Sequence, residues 1–209
     1  MMLRRSLARS VLALCAGLAA LPMALAAPAV GQPAPDFTLT DTAGKTVRLS
    51  EFKGRHVVLE WVNPGCPYVR KHYHSANMQG TQKEAAAKGV VWLAINSTST
   101  DAGDYLPPAE MAKWMQQQKA AATATLMDAD GKVGRAYGAR TTPHMYVVDP
   151  AGKLVYAGGI DDKPSTNAAD IPRATNYVKA ALNESLAGKP VSQASTRPYG
   201  CSIKYSNGA

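Results

Sequence analysis

The chain has 209 residues and a formal net charge of +8, from 23 lysines and arginines against 15 aspartates and glutamates. The basic residues are scattered among acidic ones, which argues against a nucleic-acid partner and makes the charge a solubility feature. Neither a Gly-rich phosphate loop nor an internal repeat occurs, so no nucleotide cofactor is implied and none of another kind is expected.

The first predicted element is a leader. Arg4, Arg5 and Arg9 precede an apolar run that starts at Val11 and lasts about 16 residues, short of the roughly 20 needed to span a bilayer. Ala24-Leu25-Ala26 fits the small-residue cleavage rule, with the cut before Ala27. Residues 1–26 therefore read as an export signal, leaving a periplasmic or secreted chain with no stable membrane anchor. Leu14 before Cys15 is too large for a lipoprotein site, so Cys15 leaves with the signal. The remaining 183 residues carry a net charge of +5, enough length for one domain with a real core. That domain is predicted over 27–187, followed by a tail over 188–209. Two cysteines remain, Cys66 and Cys201, and in an oxidising compartment they are expected to meet or to be managed by a redox partner.

After a Pro- and Ala-rich lead-in, residues 36–54 read as two short strands around a turn at Ala43-Gly44, then a short turn or helix at Ser50–Phe52. His56–Val62 is a near-continuous apolar run rich in β-branched residues, the pattern of a buried central strand. A helix is predicted from Pro67 to about Lys88, a second buried strand over Gly89–Asn96 and a helix over Ala109–Ala121. A strand at Ala124–Met127 and a short helix at Gly131–Tyr137 follow. Met145–Asp149 and Lys153–Gly158 form a hairpin through Pro150-Ala151-Gly152. The last helix is predicted over Ile171–Ala187, and the tail reads as loop. Strands alternating with helices imply parallel pairing, and the hairpin adds antiparallel strands. The fold class is α/β: a three-layer sandwich with a central mixed sheet and helices on both faces.

Chemistry concentrates where the first buried strand meets a helix. Pro67 suits the first helical position, which makes Cys66 the N-cap. The free N–H groups of Tyr68 and Val69 and the helix dipole favour negative charge there, as a thiolate needs. A dithiol motif would place its second cysteine at position 69, which holds Val69. Arg70 either adds positive charge or is simply solvated. Glu60 interrupts a buried strand: its carboxyl should titrate high and could relay protons to the thiol, unless it reaches solvent at an edge. Pro143 enters a strand, so Thr142-Pro143 is a candidate cis bond. Cys66, His72, His74, His144 and Met145 are conceivable copper ligands. His72 and His74 are two apart on a helix and diverge, while His144 could approach Cys66; two ligands make a weak site, and no metal is predicted.

The segments "VGQPAPDFTL", "LEWVNPGCPYVRKHY", "TTPHMYVVDPAGKLVYAGGID" and "RPYGCSIKY" together resemble the thioredoxin-like superfamily, and within it the peroxiredoxin-like (AhpC/TSA, redoxin) branch. The resemblance runs from about Val30 to Tyr205 and implies a thioredoxin-like sandwich. The terminal GCSIK element is similar to that of an exported redoxin subgroup. In the superfamily a buried acid stands where Glu60 stands, and the residue before the proline, Thr142 here, binds substrate through its backbone beside Pro143. Peroxiredoxins carry Thr three residues before the reactive cysteine and Pro seven before it; here Asn63 and Leu59 occupy those places. Their catalytic arginine matches either Arg70 or Arg140.

The main expectation is a peroxiredoxin-like antioxidant thiol peroxidase, with a thiol–disulfide oxidoreductase as its alternative. In a thiol peroxidase, Cys66 attacks a peroxide and Cys201 resolves the sulfenic acid. In a thiol–disulfide oxidoreductase, Cys66 attacks a protein disulfide and Cys201 resolves the mixed disulfide. Either cycle needs an external thiol reductant. A metal-binding protein and a purely structural Cys66–Cys201 disulfide are the lesser alternatives.

Overall fold

The computed structural model describes residues 28–206; the proposed leader, with Cys15 and its cleavage site, lies outside the described residues. The chain opens with strands β1 (Thr38–Asp41) and β2 (Thr46–Arg48), then a single 3-10 turn at Leu49–Phe52. Strand β3 (Val57–Trp61) leads into helices α1 (Pro67–His74) and α2 (Asn77–Ala87) and strand β4 (Val91–Asn96). Helix α3 (Pro108–Gln117), strand β5 (Ala124–Met127) and helix α4 (Lys132–Tyr137) follow. Then come β6 (Thr141–Thr142), β7 (His144–Val148) and β8 (Leu154–Gly158). Helix α5 (Tyr177–Leu186) and strand β9 (Cys201–Ser202) complete the order.

Seven strands form one mixed sheet in the order β2-β1-β5-β4-β3-β7-β8. β3 pairs in parallel with β4 and antiparallel with β7, so it sits inside the sheet and all five of its residues are buried. That is why its sequence is a continuous apolar run rather than an alternating one. Residue parity separates two cores. Val58, Trp92, Ala94, Met145 and Val147 face the layer of α1, α2, α3 and α5, which contributes Val69, Tyr73, Met78, Met111, Val178 and Leu182. Val57, Leu59, Trp61, Leu93, Ile95 and Tyr146 face α4 and the N-terminal hairpin. Each fully buried Val, Leu or Ile contributes roughly 1.5–3 kcal/mol, so these two cores supply the main driving force for the sandwich. The α/β, three-layer, thioredoxin-like architecture expected from the sequence is the one observed.

Three element predictions need correction. The helix predicted from Pro67 to Lys88 is two helices, broken where Ala76 adopts φ 61°. At the break the Ser75 hydroxyl donates to the carbonyls of Lys71 and His72, helping to satisfy the end of the first helix. The final helix begins at Tyr177, not Ile171. Pro172 sits in a 3-10 turn over Ala168–Arg173, and Asn176 caps α5 by accepting from the Lys179 N–H at 2.9 Å. The tail is not all loop: β9 pairs antiparallel with β6, setting Thr141 against Ser202 and Thr142 against Cys201.

Candidate active site

The Asn63-Pro64-Gly65 turn aims Cys66. The Asn63 side-chain oxygen accepts from the Gly65 N–H at 2.6 Å, and the Cys66 N–H donates to the Asn63 carbonyl at 3.0 Å. The Asn63 amide donates to Thr98 Oγ1 and to Asp104 Oδ2 at 2.9 and 3.1 Å. Both ends of this buried side chain are thus used to hold the turn, and Asn63 is not extended toward the thiol as a free donor. Asn63→Ala is expected to cost about 1–3 kcal/mol by leaving the Gly65 N–H and Asp104 under-bonded, measurable by urea denaturation. A side chain at Gly65 would meet Asp104 Oδ2 at 2.9 Å, so glycine is what lets Asp104 approach.

Cys66 is the N-cap of α1 with Pro67 at the first position, and its carbonyl accepts the Arg70 N–H at 3.0 Å. It is 2% exposed, and its Sγ donates to the Thr142 carbonyl at 3.0 Å. The Thr142-Pro143 bond is cis. Cys201 stands opposite Thr142 in the β6–β9 pair, so both cysteines lie against the same residue. Burial, and then the bond and charge of Cys66, push the Cys201 thiol up to about 12. Cys201 therefore keeps its proton in the resting protein and must lose it before it can resolve an intermediate.

Glu60 shares its sheet face with Val58 and lies wholly inside the protein. It accepts from Tyr73 Oη at 2.8 Å, from Trp92 Nε1 at 2.7 Å and from Gln82 Nε2 at 3.2 Å. Burial raises its carboxyl to about 7, with the three hydrogen bonds opposing the rise. The group is poised to hold or release a proton near neutral pH, as the sequence led us to expect.

The remaining predicted residues divide. Arg70 is exposed, and its Nε donates to the Pro64 carbonyl at 2.7 Å, so it braces the turn before the cysteine. Arg140 is exposed at its side chain, while its backbone carbonyl accepts the Ile203 N–H at 3.0 Å and so carries the tail. His144 does not approach Cys66. Strand parity sends it to the face of Tyr146, where its Nδ1 accepts from the Arg140 N–H at 3.3 Å. His72 is buried and held between Asn77 and Tyr199, and His74 is exposed. Met145 shares the buried cluster of Cys66, but no group of three or more His, Cys, Asp or Glu side chains converges among the described residues.

The sequence reading missed the anchors of the tail. The Tyr199 hydroxyl donates to Asp161 Oδ1 and lies 3.3 Å from His72 Nε2, while its ring packs edge-on to Tyr68. Lys204 Nζ lies 2.7 Å from Asp104 Oδ2, and the Ser99 N–H donates to the Lys204 carbonyl at 2.8 Å. The buried Tyr156 hydroxyl meets Thr196 Oγ1 at 2.6 Å. The signal was an aromatic and a lysine flanking Cys201 at close spacing, but their partners lie 38 and 100 residues away.

The AhpC/TSA family model matches residues 30–157. The thiol-disulfide oxidoreductase ResA of Bacillus subtilis (strain 168) is 27% identical over 132 residues, covering 60% of this chain and 64% of that protein, so the match spans less than two thirds of the relative. An uncharacterized conserved protein of Geobacillus kaustophilus has a similar structure, with 30% identity and a TM-score of 0.74 over 87% of this chain and 94% of that one. The thioredoxin domain of a thiol-disulfide oxidoreductase from Bacteroides vulgatus is 27% identical with a TM-score of 0.50, over 63% of this chain and 89% of that domain. The family match ends before Cys201, so the tail that meets Cys66 is an addition to the matched region. Because the model spans more than half of the sequence and the fold agrees, this chain belongs to the AhpC/TSA family, within the thioredoxin-like superfamily.

Proposed function

We propose that the chain is a thiol–disulfide oxidoreductase that works through a Cys66–Cys201 couple. The observation that carries this reading is that both cysteines meet at Thr142: Cys66 Sγ donates to its carbonyl, and Cys201 stands opposite it in the β6–β9 pair. The Cys66 thiolate attacks one sulfur of a partner disulfide, forming a mixed disulfide and releasing the other partner sulfur as a thiolate. Cys201 loses its proton and attacks Cys66 Sγ, expelling the second partner thiolate. The partner disulfide has then gained two electrons, and Cys66 and Cys201 have lost two to form their own disulfide. An external dithiol restores the pair. Glu60 is the proton reservoir on the same sheet face, and the Thr142 backbone beside Pro143 lines the place of attack. The leader-like residues 1–26 support work outside the cytoplasm, and the GCSIK tail supports a place in an exported redoxin subgroup.

The AhpC/TSA membership supports a second reading, in which a peroxide oxidises Cys66 to a sulfenic acid, the alcohol or water leaves, and Cys201 condenses with loss of water. Asn63 weakens it, because its amide is spent on Thr98 and Asp104. The two readings separate in one experiment. Reduced protein is mixed with an equimolar protein disulfide or with hydrogen peroxide, and Cys66 oxidation is followed by quenched mass spectrometry. The disulfide is expected to react faster, with no sulfenic adduct on Cys66. A faster peroxide reaction that yields a trapped sulfenic acid overturns the first reading in favour of the second.

A further inference from the structure

Resting on that reading, we infer that the docked tail occupies the peptide-binding edge of its own active site, so a protein disulfide reaches Cys66 only when Tyr199–Ser202 lets go. Thr141–Thr142 is a two-residue strand whose free edge takes β9 antiparallel. The carbonyl of Thr142 is the atom that Cys66 Sγ touches, and the residue opposite Thr142 is Cys201. Any extended peptide that presents a sulfur to Cys66 by adding a strand to this edge must put its cysteine where Cys201 now sits. Substrate and tail therefore compete for the same backbone groups. The tail acts as a tethered stand-in for the substrate.

The packing shows how closely the tail is fitted. Gly200 adopts φ +144°, and a Cβ there would lie 2.0 Å from the Thr142 oxygen. Glycine at 200 is thus what allows the tail to lie flat on the carbonyl that faces the thiol. Outside the edge the tail is held by Tyr199 on Asp161 and Tyr68, Lys204 on Asp104, the Ser99 N–H on the Lys204 carbonyl, Ile203 on the Arg140 carbonyl and Tyr205 on the Ala139 carbonyl. Tyr199 and Cys201 also pack on the rim of one core and Ile203 on the rim of the other, so lifting the tail uncovers both rims. The arrangement gives an order of events. The tail lifts, a partner strand adds to Thr141–Thr142 and its disulfide is attacked. The returning tail then takes the edge back and delivers Cys201 to the mixed disulfide. Resolution and product release become one strand exchange. A small disulfide has no backbone to pair and bypasses the competition.

The test uses the full chain in a Cys201→Ser background, which stops the reaction at the mixed disulfide. Rates of Cys66 capture are measured with insulin, a protein disulfide, and with cystamine, a small one, with and without Gly200→Val. Tyr199→Ala is the second variant, since it removes the Asp161 and Tyr68 contacts that hold the tail next to Gly200 and so weakens its docking. Losing the two-residue pairing is expected to raise the insulin-to-cystamine rate ratio by about tenfold in both variants. Far-UV circular dichroism identifies any variant that has not folded, and the other then decides. An unchanged ratio in a folded variant overturns the inference and leaves the oxidoreductase reading standing. Capture of neither disulfide in any form overturns both.

Discussion

Cys66→Ser is expected to lower disulfide exchange by on the order of a thousandfold or more, because it removes the attacking sulfur itself. Cys201→Ser is expected to do something different. The first step survives, and the protein accumulates as a mixed disulfide with its partner, visible on a non-reducing gel and cleared by dithiothreitol. The contrast follows from the geometry. Cys66 is the N-cap of α1, whereas Cys201 is held in the tail with its thiol pushed up by burial and by Cys66. A Cys201→Ser protein that turns over like wild type would show that another thiol resolves the intermediate. Because Val69 occupies the usual second-cysteine place on the helix, no other described residue can do so within the chain.

Glu60→Gln is expected to change how stability depends on pH. The carboxyl titrates at about 7 in the folded chain, against an ordinary value of 4.5, because burial favours the neutral form. Between those values the folded state binds more protons than the unfolded state, so stability falls as pH rises. The contribution is fully present below about 4.5 and is lost as pH passes through about 7; it amounts to about 3 kcal/mol. Glutamine does not titrate, so denaturation midpoints of the variant should lose most of that slope between pH 5 and 8. Wild type and variant with parallel profiles would remove Glu60 as the titrating group. The same variant should also lose any inflection near pH 7 in the rate of Cys66 exchange, if Glu60 holds the proton for the thiol.

Much of this site could be read from residues near one another in sequence. A cysteine before Pro67 at a strand–helix junction, a glutamate inside VVLEWV and a proline entering a strand each break a local rule, and each marks a real feature of the structure. The fold was legible for the same reason, since β3 and β4 are long apolar runs that a central strand requires. What escaped was set by tertiary contact. The break at Ser75–Ala76 is marked by the positive φ of Ala76 and the Ser75 hydroxyl on the carbonyls of Lys71 and His72, which no local sequence pattern signals. The placement of His144 depends on its parity in β7, one residue before the strand was expected to begin. The docking of the tail rests on scattered long-range contacts of Thr196, Tyr199, Ile203, Lys204 and Tyr205, none of which forms a periodic pattern. Asp104 escaped because it lies in a loop and gains its meaning from Gly65 and Lys204.

The central claim is that Cys66 and Cys201 form one redox couple. Its most direct test is to equilibrate the full chain with a glutathione redox buffer, block free thiols, and map peptides without reduction. The account predicts a peptide pair joined through Cys66 and Cys201, appearing as a two-electron transition with no stable glutathione adduct. Cys66 found bound to glutathione while Cys201 remains free to alkylation would contradict it.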